Sequence, residues 1–196
     1  MFLLRPSALV NQVFTFLLAV CAKRYGIQLH CFCTLSNHFH LVVTDVLGNS
    51  PAFMRDLCAL LARYLNDLND RRENFWAPGS YSAVVLTSPE DVLDKMAYVL
   101  ANPAAAHLVR RGSEWPGLWS GPTNIGGAPL QAVRPSRFFR RDGPLPGSAT
   151  LRLACPAGFS SVDDLRARLA ERVNAREEQA ERRRHEEGRS CLGARR

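Results

Sequence analysis

Residues 35–44, Leu35-Ser-Asn-His-Phe-His-Leu-Val-Val-Thr44, carry the pattern from which both the fold and the chemistry of this chain can be inferred. Successive side chains of a strand point to opposite faces of a sheet. His38 and His40 therefore point to one face, and Phe39 points into the opposite layer. Two neutral imidazoles side by side on a rigid sheet provide two ligands of a metal site. A third ligand has to come from elsewhere in the chain.

The residues around this stretch predict a β-hairpin. Residues 28–35 form a strand, and Ser36-Asn37 is a two-residue turn in which Asn tolerates the positive φ that such turns require. The strand 38–44 then returns antiparallel to the first. Pairing about this turn places Cys33 opposite His40 and Cys31 opposite Val42.

Further strands and helices flank the hairpin in the sequence. Strands are predicted at residues 2–5 and 81–87 from their apolar and β-branched content. One helix is predicted over 8–25, with Ser7 and Gly26 as its caps, and a second begins at Ser50-Pro51. The order β-α-β-β-α-β is the split βαβ or ferredoxin-like pattern. It predicts an α+β chain with an antiparallel sheet and two helices packed on one face.

A third helix contributes polar groups to the same region. Ser88-Pro89 and the acidic residues after it predict the start of this helix, and Pro103 predicts its end near Asn102. Asp94, Tyr98 and Asn102 are spaced four residues apart, so they share one helical face. A tyrosine on a helix is most often a packing residue. Its combination with the histidine pair gives it a second, chemical interpretation.

The combination suits phosphoryl transfer. A divalent ion held by His38, His40 and the amide oxygen of Asn102 leaves open positions for phosphate oxygens. Only about one part in a thousand of a tyrosine hydroxyl is phenolate at neutral pH. Attack on phosphorus by Tyr98 therefore needs a metal or a cationic neighbour. Lys95, one turn before Tyr98, is either such a neighbour or a solvated helix lysine.

Three blocks of sequence resemble the REP-associated tyrosine transposases, a branch of the single-tyrosine HUH transposases. The blocks are residues 35–43, Asn74-Phe-Trp-Ala-Pro-Gly-Ser-Tyr-Ser-Ala-Val84, and Ala97-Tyr-Val-Leu-Ala-Asn-Pro-Ala-Ala-Ala106. They occur in the family's order and at its spacing, within a likeness that covers residues 2–120. The resemblance implies an HUH endonuclease architecture in which Mg²⁺ or Mn²⁺ is bound by His38, His40 and Asn102, and in which Tyr98 is the nucleophile.

The activity that the resemblance implies is cleavage and transfer of single-stranded DNA. Tyr98 would form a 5′-phosphotyrosine and release a 3′-OH, and another 3′-OH would reverse the step without ATP. Family members act at hairpins of repeated extragenic palindromes, and the chain would work as a monomer or homodimer. Two departures are visible: a basic segment often precedes the first strand in related chains, and a Gly is common at the position of His107.

Composition is compatible with this partner. The chain has 25 Lys and Arg against 18 Asp and Glu, a net charge of +7, which suits a polyanion such as nucleic acid. Free use of Arg by a GC-rich genome explains the same charge. The six cysteines lack the spacing of a secreted disulfide scaffold, which indicates a reducing cytoplasm. The apolar run 13–22 is well short of the roughly 18 residues that a membrane span needs, so neither export nor a membrane is expected.

Other residues are candidates for contact with DNA. Trp76 and Tyr81 could stack on bases or pack in the core. A basic cluster interleaved with Phe138 and Phe139 is either a phosphate-and-stacking patch or a solvated loop whose Phe pair docks on the core. Its members are Arg134, Arg137, Arg140 and Arg141.

Two alternatives to the enzyme remain open. One is a catalytically silent or domesticated protein that binds DNA hairpins without cutting them. The other is a small zinc protein that uses Cys33, His38 and His40, although this spacing is atypical of closed zinc sites.

The sequence predicts that the chain is organised in three parts. The transposase-like domain is predicted over residues 1–120, and a Gly-, Pro- and Arg-rich loop or linker over 121–160. An Arg- and Glu-rich helix and tail occupy 161–196. Leu165, Leu169 and Val173 give that helix a brief apolar stripe, and it could dock weakly on the domain, pair with a second chain or contact DNA.

Overall fold

In the computed structural model of the protein, residues 35–44 form the turn and second strand of a β-hairpin. Its antiparallel strands are β1 (Ile27–Thr34) and β2 (Phe39–Asp45). The register pairs Cys33 with His40 and Cys31 with Val42, as the sequence predicts. The hairpin therefore presents both histidines from the predicted strand.

The structure describes residues 3–77, 79, 81–140 and 142–193. Within these ranges the chain has the predicted α+β class, with four helices and two antiparallel sheets of two strands each. None of the helices in the described ranges is long and apolar enough to cross a membrane. The remaining elements are α1 (Ala8–Tyr25), α2 (Ser50–Leu68), α3 (Pro89–Ala105), β3 (Leu130–Val133), β4 (Ser148–Leu151) and α4 (Val162–Glu186).

Helices cover both faces of the β1–β2 hairpin. On one face, α1 and α2 bury an apolar cluster that includes Phe14, Phe32 and Phe53. On the other face, α3 packs on the hairpin and α4 packs on α3, around Met96 and Leu169. Apolar area removed from water, at about 25 cal/mol per Å², holds these layers together. The second layer is the one that approaches the histidine pair.

Helix α1 has the predicted bounds and caps. The Ser7 hydroxyl accepts a hydrogen bond from the N–H of Val10, and Gly26 adopts a φ of 68° after the last turn. The helix is buried over more than its predicted face, because the β3–β4 hairpin packs on it with Ala132 and Leu151.

Helix α2 is capped differently from the prediction. Ser50 is its first residue and not its cap, and Asn49 makes no side-chain cap hydrogen bond. The carboxylate of Asp45 instead accepts from the Ser50 hydroxyl and from the N–H groups of Asn49 and Ser50. These hydrogen bonds lower the pKa of Asp45 to about 2, and the one from the Ser50 hydroxyl has the largest effect. The end of β2 therefore holds the start of α2.

Within the described residues, the first and fourth strands of the predicted sheet are not formed. Phe2 lies outside the described residues, and Leu4 bonds to the hairpin through its N–H and the carbonyl oxygen of Ser36 at 2.9 Å. Described residues between 81 and 87 form no strand and no backbone hydrogen bond to a neighbouring strand. Val84 and Val85 are 69% and 86% exposed. β-Branched residues favour a strand only where a partner edge and a buried face exist, and neither is present here.

Helix α3 also extends further than the prediction. It continues through Pro103 to Ala105, although the proline was expected to end it near Asn102. Pro103 lacks the N–H for one helical hydrogen bond, but the next turn is kept by the bond from Ala106 to the Asn102 carbonyl at 2.8 Å. The burial of Asn102, Pro103 and Ala104 against the hairpin outweighs the local preference.

The rest of the chain packs on this framework. The strands β3 and β4 were not predicted; they form a hairpin on α1, and the following Leu153 lies beside Leu29 of β1 in a parallel bridge. The predicted C-terminal helix is present as α4, and its predicted apolar stripe is buried against α3. That stripe is Leu165, Leu169 and Val173.

Candidate active site

Strand β2 sets the position of the histidine pair. His38 directly precedes the strand and His40 is its second residue, so both lie on the α3 face. Their ring centroids are 4.9 Å apart and the rings are nearly perpendicular, at 87°. Phe39 points to the other face, where its ring packs edge-on against Phe14 at 5.1 Å and Trp76 at 5.7 Å. Packing on that far face fixes the strand that carries the imidazoles.

Helix α3 brings Tyr98 and Asn102 to the histidines. The Tyr98 ring lies 5.6 Å from the His40 ring between centroids. The Asn102 amide Nδ2 is 3.3 Å from Nε2 of His40. Asn102 is 9% exposed, whereas Tyr98 is 42% exposed. The helix therefore buries its amide against the imidazole and leaves the phenol accessible from solvent.

Both imidazoles are held in the neutral form. Burial first, and then the nearby His38 and Lys95, lower the pKa of His40 to about 4. Burial also lowers the pKa of His38. A neutral imidazole keeps one ring nitrogen free to bind a metal ion, so both residues are competent ligands near neutral pH.

Asn37 orients the His38 ring. The Nδ1 atom of His38 lies 2.7 Å from the amide Oδ1 of Asn37. In the tautomer whose Nδ1–H donates to this oxygen, Nε2 presents the lone pair. A neighbour that fixes the tautomer in this way is typical of metal-binding histidines.

One pair of donor groups has a spacing that a small divalent ion could bridge. Adjacent ligands of an octahedral ion with bonds of about 2.1 Å are about 3 Å apart. The 3.3 Å separation between His40 Nε2 and the Asn102 amide is close to that value. Rotation of the amide by half a turn exchanges Nδ2 for Oδ1, the amide atom that can bind a metal ion. His40 and Asn102 can thus supply two adjacent ligands, and the His38 ring lies beside them at 4.9 Å from the His40 ring between centroids.

Lys95 lies beside the tyrosine. Its Nζ atom is 5.0 Å from the centroid of the Tyr98 ring, which is within the range of a cation–π contact. The predicted cationic neighbour of Tyr98 is therefore adjacent to it. Asp94, which the spacing places on the same helical face, does not reach the histidines and pairs instead with Arg172 of α4.

Of the two aromatic candidates for contact with DNA, Trp76 packs in the core and Tyr81 is exposed. Trp76 packs against Phe39 and Phe75, and its indole Nε1 donates to the carbonyl oxygen of Cys58 at 2.8 Å. This position is the core-packing alternative of the prediction. Tyr81 is 53% exposed and free to stack on a ligand.

The basic cluster lies apart from the Tyr98 face. Phe139 stacks on Tyr64 at 5.5 Å, on the side of the sheet that α1 and α2 cover, and Arg137 pairs with Asp67 at 3.4 Å. Arg134 donates to the carbonyl oxygen of Leu145 at 2.7 Å, Arg140 is exposed, and Arg141 lies outside the described residues. The arrangement is that of a loop docked on the core through its Phe pair.

The geometry does not support a zinc site at Cys33, His38 and His40. Cys33 is fully buried, and burial raises the pKa of its thiol to about 12, which opposes the thiolate that zinc requires. Nowhere in the described part of the chain do three His, Cys, Asp or Glu side chains form a group that could hold a metal ion. Cys33, His38 and His40 accordingly do not form such a group.

One residue near Tyr98 was missed by the sequence analysis. Arg176 of α4 lines the same surface groove as Tyr98 and Lys95. It lies 78 positions after Tyr98, and no local spacing connects them. Only the docking of α4 on α3 brings this guanidinium to the site.

Comparison with known proteins yields no family model that matches the chain, no similar curated protein and no similar solved structure. What can be said of activity therefore depends on the site residues and their geometry.

Proposed function

We propose that the protein is a metal-dependent nuclease and strand transferase that acts on single-stranded DNA through a 5′-phosphotyrosine on Tyr98. The observation that supports this function most is the convergence of two separate elements. His40 on β2 has the Tyr98 ring of α3 at 5.6 Å and the Asn102 amide at 3.3 Å. A nucleophile, an amide and two neutral imidazoles thus meet at one surface.

Each residue has a distinct role in the proposed reaction. His38, His40 and Asn102 would hold Mg²⁺ or Mn²⁺, which when bound offsets the negative charge of the scissile phosphate. The Tyr98 oxygen attacks phosphorus, and the bond from phosphorus to the 3′-oxygen breaks. The proton of the phenol is lost and the leaving 3′-oxygen gains one, so a 5′-phosphotyrosine and a 3′-OH result. Attack by another 3′-OH restores the phosphodiester and frees Tyr98.

The accessibility of the site agrees with this role. Tyr98 is 42% exposed on the side of α3 that faces solvent, so a DNA strand can reach its hydroxyl. Lys95 adds positive charge next to the phenol. The net charge of +7 favours approach of a polyanion.

The family proposed is that of the REP-associated tyrosine transposases; of the ferredoxin-like HUH fold that this family implies, the described residues contain the β1–β2 hairpin and its flanking helices but not the first and fourth strands. The first of the three resembling blocks forms the hairpin turn and β2, and the third lies on α3 and carries Tyr98 and Asn102. This family would give DNA hairpins of repeated palindromes as the substrate, a cytoplasmic location, and a monomer or homodimer as the working form.

The function is tested by incubating the full chain with a single-stranded hairpin oligonucleotide and Mn²⁺ or Mg²⁺, followed by denaturing electrophoresis. The expected result is a covalent adduct that Tyr98→Phe abolishes. This substitution removes only the hydroxyl and keeps the ring that packs on His40. Tyr81→Phe, at an exposed tyrosine in a resembling block, is the matched control and should leave the adduct intact.

Two results would contradict the proposal. An adduct that survives Tyr98→Phe would exclude Tyr98 as the nucleophile. Tight binding of the hairpin without any adduct, in either metal, would favour the catalytically silent DNA-binding alternative.

A further inference from the structure

An open groove of about 430 Å³ runs beside Tyr98 and is not part of the histidine and amide cluster. One side of it is α3, with Lys95 and Tyr98. The segment 84–87 also lines it, and α4 contributes Arg176. The three parts of the groove come from distant regions of the sequence, so it is a product of the tertiary fold.

The acidic side chains of the groove have partners other than Lys95 and Arg176. Asp94 pairs with Arg172 of α4. Asp91 accepts hydrogen bonds from the hydroxyls of Ser88 and Thr87 and, in the N-terminal capping box of α3, from the N–H of Ser88. Neither carboxylate neutralises the groove's own cations directly.

The cations of the groove lack such partners. Lys95 and Arg176 form no salt bridge with any residue in the described part of the chain, and Lys95 lies over the Tyr98 ring. By contrast, Arg168 and Arg172, which precede Arg176 on α4, both pair with Glu90 of α3. Arg176 is therefore the guanidinium on this side of α4 that is available to an incoming anion.

The segment before α3 adds exposed apolar side chains to the groove. Val84 and Val85 are 69% and 86% exposed, and Tyr81 on the same segment is 53% exposed. Exposed apolar side chains next to unpaired cations are the two components of sites for single-stranded nucleic acid. Cations contact the phosphates, and apolar or aromatic side chains contact the faces of the bases.

We propose that this groove binds the DNA strand next to the scissile phosphate, with Arg176 on a backbone phosphate and Val84 and Val85 against the bases. The proposal rests on the function proposed above and names the track that leads the strand to Tyr98. Charge complementarity selects the occupant, since an uncharged or cationic ligand would leave Lys95 and Arg176 unpaired. Arg176 is a binding residue in this account and takes no part in bond breaking.

The test measures binding separately from cleavage. A fluorescent oligothymidylate of about 20 nucleotides, longer than the roughly 4–16 nucleotides of typical single-strand sites, is titrated with the full chain in EDTA at several salt concentrations. Arg176→Gln should weaken binding roughly tenfold and reduce the salt slope by about 0.7, the value for one phosphate contact on a single strand. Val85→Ser should weaken binding about two- to fivefold with no change of slope.

Arg182→Gln is the matched control. Arg182 is an exposed arginine of the same helix, and six residues separate it from Arg176, which places it about 120° around the helix axis. The control removes the same charge from α4. It should change the affinity by less than twofold and leave the salt slope unchanged. Unchanged circular dichroism in each variant shows that the fold is intact.

The possible outcomes separate the two proposals. If Arg176→Gln matches Arg182→Gln while wild type binds DNA and forms the Tyr98 adduct, the groove proposal is wrong and the function stands. If Arg176→Gln weakens binding as expected but wild type forms no adduct, the groove is supported and the nuclease is refuted. A wild-type chain that binds no single-stranded DNA, or an Arg176→Gln defect seen only with duplex DNA or an acidic peptide, overturns the groove proposal.

Discussion

Replacement of Leu169 by alanine tests whether α4 is a fixed part of the fold. Leu169 is fully buried between α4 and α3, in the cluster that contains Met96 and Leu100. A buried Leu→Ala change costs about 2–5 kcal/mol, because apolar contacts are lost and a cavity remains. The ion pairs of Arg168 and Arg172 with Glu90 are exposed, and such pairs contribute at most about 1 kcal/mol each. Apolar packing should therefore dominate the attachment of α4.

The assay is urea unfolding followed by far-UV circular dichroism. At about 2–4 °C per kcal/mol for a chain of this size, a loss near 3 kcal/mol also lowers the Tm by about 6–12 °C. A single transition with an unchanged slope shows that α4 unfolds together with the rest. Leu192→Ala, at a side chain that is 46% exposed, is the control and should cost less than about 0.5 kcal/mol. A cost below about 1 kcal/mol for Leu169→Ala would refute the docking of α4 and the position of Arg176.

Three further predictions concern single positions. Ser120→Ala should cost about 1–3 kcal/mol in urea unfolding, because the buried Ser120 hydroxyl accepts from the N–H of Phe32 at 2.8 Å. His107→Gly should be more stable than His107→Ala by about 1 kcal/mol, since residue 107 has a φ of 57° that favours Gly. Asp45→Asn should lower the unfolding free energy at pH 7. The difference in unfolding free energy between Asp45→Asn and wild type should narrow as the pH falls from about 4 towards 2. The folded pKa of Asp45 is depressed, so the stabilisation that its carboxylate provides is lost when it is protonated in this range.

Each of these predictions has its own control or contrary result. Ser82→Ala, at an exposed serine, should leave the unfolding free energy unchanged. If Ser120→Ala also left it unchanged, the result would argue against the hydrogen bond to Phe32. Equal stabilities of the Gly and Ala variants would argue against the left-handed conformation of residue 107. A difference between Asp45→Asn and wild type that stays constant down to pH 2 would show that the carboxylate does not cap α2.

The hairpin and the main site residues could be predicted because their determinants are local. Alternation along β2 fixes the shared face of His38 and His40, and the two-residue turn Ser36-Asn37 fixes the register, although Asn37 does not adopt the positive φ that was predicted for it. The four-residue spacing puts Tyr98 and Asn102 on one side of α3. In these cases a few adjacent residues determine the geometry.

The rest depends on contacts between distant segments. The β-branched residues 81–87 have the composition of a strand, but no neighbouring edge pairs with them. The apolar stripe of α4 predicts that the helix docks, yet it does not identify α3 as the partner. Arg176 could not be assigned to the site for that reason. The positive φ of His107 had one signal in the sequence, the Gly that the resembling family has at this position.

The most direct test of the central claim is to identify the tyrosine that is linked to DNA. After reaction with a hairpin oligonucleotide and nuclease trimming, tryptic cleavage at Lys95 and Arg110 releases residues 96–110, in which Tyr98 is the sole tyrosine. Each of the other three, Tyr25, Tyr64 and Tyr81, falls in a different peptide. Mass spectrometry should find the nucleotide on peptide 96–110. A nucleotide on any other tyrosine peptide, or none on any peptide, would contradict the account.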